Sequence, residues 1–284
     1  MHKLGINFDE VSSELNVALS FMRENDLKYG ELRTVNDKNF VFWNTQEIND
    51  FQSHIIASQI ELVAAATPLF KWYIEENDPE IVHDSFGFNP RINDAQKRRI
   101  IAHTINVASK LGISRLRIFS GLGVTADAGV TFAKDPLLAY ALECANRMNI
   151  DLYLENEPVC RVHDKEQIIN FFKNSNHPRL KFWLDIANLT ELGEDINNEF
   201  IIEMAPRLSY LHIKDYIISN GLKKYVPAGE GEVDYDNVLA KIFKYCDNDL
   251  VLTVETHAQK SKIEMSARAI SGTRLLLSKQ GVIL

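Results

Sequence analysis

The stretch that decides the fold is residues 151–215, where three short apolar runs alternate with longer segments. The runs are DLYLEN at 151–156, LKFWLD at 180–185 and LSYLHIKD at 208–215. The segments between them carry apolar side chains at helical spacing, which predicts helices over 164–175 and 197–205. Strands that alternate with helices along a chain indicate a parallel sheet.

The same alternation extends along the whole chain and gives eight strand–helix units. The predicted strands are 4–8, 28–35, 61–66, 115–120, 151–156, 180–185, 208–215 and 250–256. The predicted helices are 10–25, 46–58, 94–111, 136–148, 164–175, 197–205, 235–245 and 260–278. Eight units predict a single α/β domain over residues 1–284, a closed (β/α)8 TIM barrel. The alternative is an open doubly wound sheet, but no Gly-x-Gly-x-x-Gly follows the first strand.

The composition is that of an ordinary globular protein. Of the 284 residues, 45% are hydrophobic and 25% are charged, which excludes intrinsic disorder and collagen. The formal net charge of −8 disfavours a nucleic-acid partner, because phosphate binding needs clustered Lys and Arg. Three scattered cysteines are too few for a disulfide framework. We expect no signal peptide and no membrane span, and therefore a cytoplasmic protein.

Ionisable side chains lie at the ends of four consecutive predicted strands. Glu155, Asp185, His212 and Glu255 each follow an apolar run. In a barrel these strand ends meet on the face that carries the chemistry. Taken singly, each residue has a plainer reading as a loop residue, a helix cap or a core histidine. Together, three carboxylates and one imidazole suit one divalent ion, Mn²⁺, Mg²⁺, Co²⁺ or Zn²⁺, without choosing among them.

The motifs around these residues resemble the xylose isomerase-like TIM barrel superfamily, the sugar phosphate isomerase/epimerase group. They are Leu-Glu-Asn at 154–156, Leu-Asp-x-x-Asn at 184–188, His-x-Lys-Asp at 212–215, Gly-Glu-Gly-Glu-Val-Asp at 229–234 and Val-Glu-Thr at 254–256. The resemblance covers nearly the whole chain. It implies that Glu155, Asp185, His212 and Glu255 are the metal ligands, and it leads us to expect a homo-oligomer.

The resemblance also implies a reaction, the isomerisation or epimerisation of a sugar, a sugar phosphate or a keto-polyol. A divalent ion chelated by a carbonyl and its neighbouring hydroxyl acidifies the C–H between them. A carboxylate removes that proton as general base, and the metal stabilises the enediolate. By the resemblance, Glu155 and Glu255 act as ligands and as the acid/base pair together.

Further side chains are predicted to bind the substrate, and they are Lys214, Asn188, Glu157, Arg33, Lys71 and His257. Glu157 and Lys214 share strand parity with Glu155 and His212, which places them toward the same cavity. Arg33, Lys71 and Arg117 lie near strand ends, where they bind an anionic substrate or form structural ion pairs. Asn188 stands where relatives often carry a histidine that contacts the substrate.

Three other functions stay open at this stage. The first is a lyase, a dehydratase of the inosose or dehydroshikimate type, which shares the fold and the ligand pattern and suits Lys214. The second is an abasic-site endonuclease, which the negative net charge disfavours. That enzyme needs further histidines, whereas the third and fourth strand ends carry Thr67 and Ser120. The third is a sugar-binding barrel without turnover.

Overall fold

The computed structural model of the chain describes residues 2–74, 80–82, 89–246 and 249–282. Eight parallel strands close into a barrel in which β8 returns to β1. They are β1 (Lys3–Asn7), β2 (Tyr29–Leu32), β3 (Glu61–Ala65), β4 (Arg115–Ile118), β5 (Asp151–Glu155), β6 (Leu180–Asp185), β7 (Leu208–Ile213) and β8 (Val251–Val254). The predicted (β/α)8 TIM barrel is confirmed.

Helices flank the barrel. They are α1 (Phe8–Val11), α2 (Leu15–Glu24), α3 (Thr45–Ser58), α4 (Asp94–Lys110), α5 (Ala128–Ala133), α6 (Pro136–Arg147), α7 (Lys165–Asn174), α8 (Ile186–Glu191), α9 (Asn198–Met204), α10 (Tyr235–Tyr245) and α11 (Lys262–Lys279). Local capping sets where several of them begin. Asn44 and Asn93 each form a capping box with the side chain three residues on. Within the described ranges, no helix has both the length and the hydropathy needed to cross a bilayer.

An aromatic layer fills the barrel beneath the strand ends. Tyr153, Trp183 and Tyr210 come from three adjacent strands and are buried together with Val63 and Val251. The rings of Trp183 and Tyr210 stack with their centroids 3.5 Å apart. Because side chains alternate between the two faces of a strand, the residue two positions further along also points inward. This periodicity directs the ionisable residues that end β5, β6 and β7 into the barrel.

The segment after β7 departs from the prediction. The predicted strand 208–215 ends at Ile213, and Asp215–Ser219 pairs with Leu222–Val226 in an antiparallel hairpin. Asn220 and Gly221 connect its strands with φ values of 52° and 75°. Two successive positive φ angles define a type I′ turn, for which Asn-Gly is the preferred sequence. The Asn-Gly pair was therefore the signal for this hairpin, and the prediction missed it.

Two predicted elements near the N-terminus are each divided in two. The predicted helix 10–25 consists of α1 and α2, because Ser12 has extended backbone angles that end α1. The predicted strand 28–35 ends as a barrel strand at Leu32. The next residues, Thr34–Val35, pair instead with Lys38–Asn39.

Gly5 in β1 lies close against the backbone of Tyr29 in β2. A Cβ atom added there would lie 2.5 Å from the carbonyl oxygen of Tyr29, which no side-chain rotation relieves. We expect Gly5→Ala to lower the free energy of unfolding by about 1–3 kcal/mol, because the two strands must move apart. Thermal and urea unfolding measure this loss.

The matched control is Gly193→Ala. Gly193 has a φ of +73° and no heavy atom within 4 Å of an added Cβ. That substitution costs only the left-handed backbone strain, about 1–2 kcal/mol. A smaller loss for Gly5→Ala than for Gly193→Ala would contradict the close approach of β1 and β2.

Candidate metal centre

The four predicted ligands meet at the carboxyl ends of the strands. Glu155, Asp185, His212 and Glu255 each offer one ligand atom, and these atoms lie within 4.8 Å of one another. All four side chains are buried. Donors at about 2.1 Å from one ion are about 3–4 Å apart, so small side-chain rotations suffice to bring the four onto one cation.

Two buried polar atoms in this cluster have no hydrogen bond among the described residues, His212 Nδ1 and Asp185 Oδ2. Glu155 Oε1 lies 2.7 Å from Nδ1, and Lys214 Nζ lies 2.8 Å from Oδ2. In neither pair are the atoms aligned for a hydrogen bond. A buried polar atom without a hydrogen bond costs about 1–3 kcal/mol. Coordination of a cation uses both lone pairs, so the residues present fit a divalent metal.

The second ring nitrogen of His212 faces Glu31 in β2. Nε2 lies 3.1 Å from Glu31 Oε2. The same carboxylate accepts hydrogen bonds from Asn7, Tyr210 and Thr253 at 2.6–2.9 Å. Burial raises the pKa of Glu31, but His212 and these bonds outweigh it and hold the pKa below its usual value. The ionised Glu31 therefore accepts a hydrogen bond from Nε2–H and turns Nδ1 toward the cluster, where its lone pair binds a metal once Nδ1 has lost its proton.

The ligand carboxylates are also ion-paired to basic side chains. Arg117 Nη1 lies 3.0 Å from Glu155 Oε2, and Arg33 Nη1 lies 2.6 Å from Glu255 Oε1. Burial lowers the pKa of His212, but Glu31, Glu255 and Glu155 together raise that pKa well above its usual value. The carboxylates around the ring thus require one more positive charge. A proton on His212 or a divalent ion supplies it.

A cavity of about 300 Å³ borders the cluster. Glu155 and Glu255 line it. Of the residues predicted to bind substrate, the structure places five in its wall, Lys71, Glu157, Asn188, Lys214 and His257. Phe119 and Tyr225 add aromatic surface to the wall. The ring of Tyr225 stacks on that of His257 with the centroids 4.7 Å apart.

Arg33, the sixth predicted substrate residue, is surrounded by carboxylates. Besides Glu255, its guanidinium contacts Asp9 at 3.0 Å and Glu10 at 2.5 Å. Arg33 is not among the described residues that line the cavity. This placement makes it a counter-ion of Glu255, and its contact with substrate stays a prediction.

Sequence reasoning assigned no role to the two carboxylates that orient the site, Glu31 and Glu10. Glu10 Oε2 accepts hydrogen bonds from the backbone N–H groups of Thr256 and His257 at 3.0 and 2.8 Å. It thereby holds His257 at a φ of +50°, beside Glu255. A charged residue within a short predicted strand was the available signal for Glu31. Glu10 gave no such signal, because it lies in an amphipathic segment.

A family model described as a xylose isomerase-like TIM barrel matches residues 20–275. The chain belongs to this family. The resemblance inferred from the strand-end motifs is therefore confirmed. No curated protein matches the chain by sequence.

Solved structures of related barrels superpose over nearly the whole chain. The IolI protein with a bound zinc atom has 17% identity and a TM-score of 0.75, with 98% of this chain and 99% of that chain covered. The probable 3-DHS dehydratase AsbF from Bacillus anthracis has 15% identity and a TM-score of 0.73, with 96% and 98% covered. D-allulose 3-epimerase from Methylomonas sp. in complex with D-allulose has 13% identity and a TM-score of 0.70, with 96% of each chain covered. At these identities the likeness shows the fold alone.

The raised pKa of His212 predicts that metal binding releases protons. The raised pKa favours the protonated imidazole when no ion is bound, whereas the ring must be neutral to coordinate an ion. We therefore expect Mn²⁺ binding to release about one proton per ion at pH 7, and the affinity to rise with pH. Calorimetric titration in buffers of different ionisation enthalpy measures the release. Binding without proton release would show that His212 is not a ligand.

Glu31 should govern the metal affinity without touching the ion. Glu31→Gln removes the negative charge that holds the Nε2 proton, so the Nδ1 lone pair is no longer fixed toward the cluster. We expect Mn²⁺ affinity to fall by about 10–100-fold. Glu61→Gln, an exposed change at the other end of the barrel wall, is the control and should bind as the unchanged protein does. Equal affinities in the two variants would contradict the role of Glu31.

Proposed function

We propose that the chain is a divalent-metal-dependent isomerase or epimerase of a sugar, a sugar phosphate or a keto-polyol. One observation carries the proposal. Glu155 and Glu255 both line the cavity, and each has a carboxylate oxygen within 3.5 Å of His212 Nδ1. The same two carboxylates therefore border both the metal centre and the space for a substrate.

Glu155, Asp185, His212 and Glu255 would hold the ion. When bound, a divalent ion polarises the substrate carbonyl and neutralises the charge that develops on its oxygen. Mn²⁺, Mg²⁺, Co²⁺ and Zn²⁺ all suit this set of oxygen and nitrogen donors.

Glu255 is the base in this proposal. Burial raises its pKa, but His257, His212 and Lys214 outweigh burial and hold the pKa well below its usual value. The carboxylate is therefore ionised at neutral pH and accepts the proton from the carbon beside the carbonyl. Glu155, across β6 and β7 from it, takes up a proton from solvent and delivers it to the carbon from another side of the cavity, while Glu255 releases its proton to solvent. Two carboxylates on different sides suit inversion at one carbon.

Other cavity residues bind and enclose the substrate in this proposal. Glu157 offers a carboxylate acceptor for hydroxyl groups. Lys71 holds Glu157 through a 3.0 Å ion pair, and Asn188 Nδ2 donates to it at 3.4 Å. Phe119 and Tyr225 keep water from the reacting carbon. A small sugar or polyol is the expected partner. The homo-oligomer and the cytoplasmic location stay predictions.

A dehydratase is the second candidate, favoured by the position of Lys214. Its Nζ lies 3.6 Å from Glu255 Oε2 at the cavity wall. A cation next to the base stabilises the hydroxyl that leaves after proton removal. The first steps of the two reactions are the same, so the product distinguishes them. An isomer indicates an isomerase or epimerase, and an absorbing enone indicates a lyase.

The test is exchange of carbon-bound hydrogen with solvent. The Mn²⁺-loaded protein is incubated in D₂O with ketoses, keto-inositols and their phosphates, and deuterium uptake is followed by NMR. We expect exchange into one compound. Glu255→Gln and Glu155→Gln should each slow that exchange by about 10²–10⁴-fold, because each removes an acid/base group.

Two measurements make this test decisive. The Mn²⁺ content of each variant is determined, and excess Mn²⁺ is supplied so that a weakened site is still filled. Glu230→Gln, an exposed residue that pairs with Arg268, is the control and should exchange at the unchanged rate. The proposal is wrong if the loaded protein exchanges none of the compounds, or if Glu255→Gln exchanges as fast as the control.

A further inference from the structure

Among the described residues, four lysine and arginine side chains line the cavity, and each is ion-paired to a carboxylate. The pairs are Lys71 with Glu157 at 3.0 Å, Lys223 with Glu191 at 2.7 Å, Arg117 with Glu155 at 3.0 Å and Lys214 with Asp185 at 2.8 Å. The pairs differ in whether the carboxylate also belongs to the candidate metal centre. Glu157 and Glu191 lie outside the metal centre, whereas Glu155 and Asp185 are two of its ligands. A bound ion therefore draws negative charge away from only two of these four basic side chains.

Lys214 is the basic side chain whose charge balance a bound ion would change most. Its side chain is 6% exposed, and its Nζ lies 2.8 Å from Asp185 Oδ2 and 3.6 Å from Glu255 Oε2. The other oxygen of each carboxylate is already engaged. Asp185 Oδ1 accepts the backbone N–H of Asn188, and Glu255 Oε1 pairs with Arg33. Lys214 thus contacts the two oxygens that remain to bind a metal, and it shares Glu255 Oε2 with His257 Nε2, which lies 3.0 Å from that oxygen.

Arg117 is held in additional ways. Its Nε donates to the carbonyl oxygen of Thr67 at 3.3 Å, and its guanidinium lies over the Phe119 ring at 4.6 Å. If a bound ion neutralises Glu155, these two contacts therefore still hold Arg117 in place. Lys214 has no comparable second anchor among the contacts that the described residues make with its ammonium.

A divalent ion and the Lys214 ammonium compete for the same charge. An ion bound to Asp185 and Glu255 takes the negative charge that balances Lys214, and the two cations repel at a separation of a few ångströms. A buried cation without a counter-charge is strongly unfavourable. The cavity is the space that Lys214 borders, and an anionic group in it restores the balance.

We propose that Lys214 competes with the divalent ion for Asp185 and Glu255, and that the displaced ammonium binds a carboxylate or phosphate group on the substrate. This inference rests on the proposed function and narrows its substrate to an acidic sugar or a sugar phosphate. Metal and anion then bind with positive coupling. By linkage, each raises the affinity of the other by the same factor.

The test measures Mn²⁺ affinity by electron paramagnetic resonance of the free ion, with and without an anion. Acetate stands in for a carboxylate and sulfate for a phosphate, so the two arms distinguish the two substrate groups. With the effective anion, the unchanged protein should bind Mn²⁺ at least about fivefold more tightly. Lys214→Met should bind Mn²⁺ about tenfold more tightly without any anion, because the competing charge is gone, and should show no further tightening.

Two further variants serve as controls. Lys223→Met removes a cation from the same cavity, but its partner Glu191 lies outside the metal centre, so it should titrate as the unchanged protein does. Lys214→Arg keeps the charge and should keep part of the coupling. Circular dichroism verifies that each variant is folded. The proposal is overturned if Lys214→Met binds Mn²⁺ no more tightly, or if the anion still tightens binding in that variant.

The outcomes separate this inference from the proposed function. Deuterium exchange confined to neutral sugars would overturn the anion site and leave the isomerase or epimerase standing. Coupling between anion and Mn²⁺ with no exchange into any compound would leave the anion site and overturn the proposed reaction. Failure of the unchanged protein to bind Mn²⁺ would overturn both.

Discussion

The crowding of carboxylates around one imidazole is the constraint on which the site depends. Glu31, Glu155, Asp185 and Glu255 all place an oxygen within 3.9 Å of a ring nitrogen of His212. Like charges at such separations repel and raise one another's pKa unless cations intervene. The surrounding basic side chains, a proton and a divalent ion can each supply positive charge that reduces this repulsion. Metal affinity, proton release and anion binding are therefore linked properties of a single cluster.

The barrel supports this arrangement because its interior is closely packed beneath the site. The stacked rings of Trp183 and Tyr210 fill the layer beneath, and the Trp183 ring also meets the His212 ring edge-on at 4.9 Å. The phenol of Tyr210 donates a hydrogen bond to Glu31. One side chain therefore both packs the core and fixes the carboxylate that contacts His212 Nε2. Close packing of this kind holds ligands in position with little freedom to reorganise.

The fold and the cluster of four candidate ligands could be predicted from the sequence, because both follow from the spacing of apolar residues along the chain. Apolar runs separated by helical segments define the barrel, and an ionisable residue after each of four runs defines the cluster. The supporting residues could not be predicted in this way. Glu10 and Glu31 reach the site from β1–α1 and β2, and their roles depend on contacts with residues more than 170 positions away. The prediction also missed the hairpin after β7, because the predicted strand ended at Asp215 and no element was assigned to the residues around the Asn-Gly turn.

That hairpin forms a two-stranded sheet separate from the barrel, yet it carries Tyr225 to the cavity wall and against His257. The Asp215 carboxylate at its base accepts hydrogen bonds from the backbone N–H groups of Gly229, Gly231 and Val233, which hold the two ends of the segment together. The residues between these ends form no ladder hydrogen bonds with the barrel strands. Replacing or lengthening this segment would therefore change the wall of the cavity without moving the four clustered residues at the ends of β5 to β8.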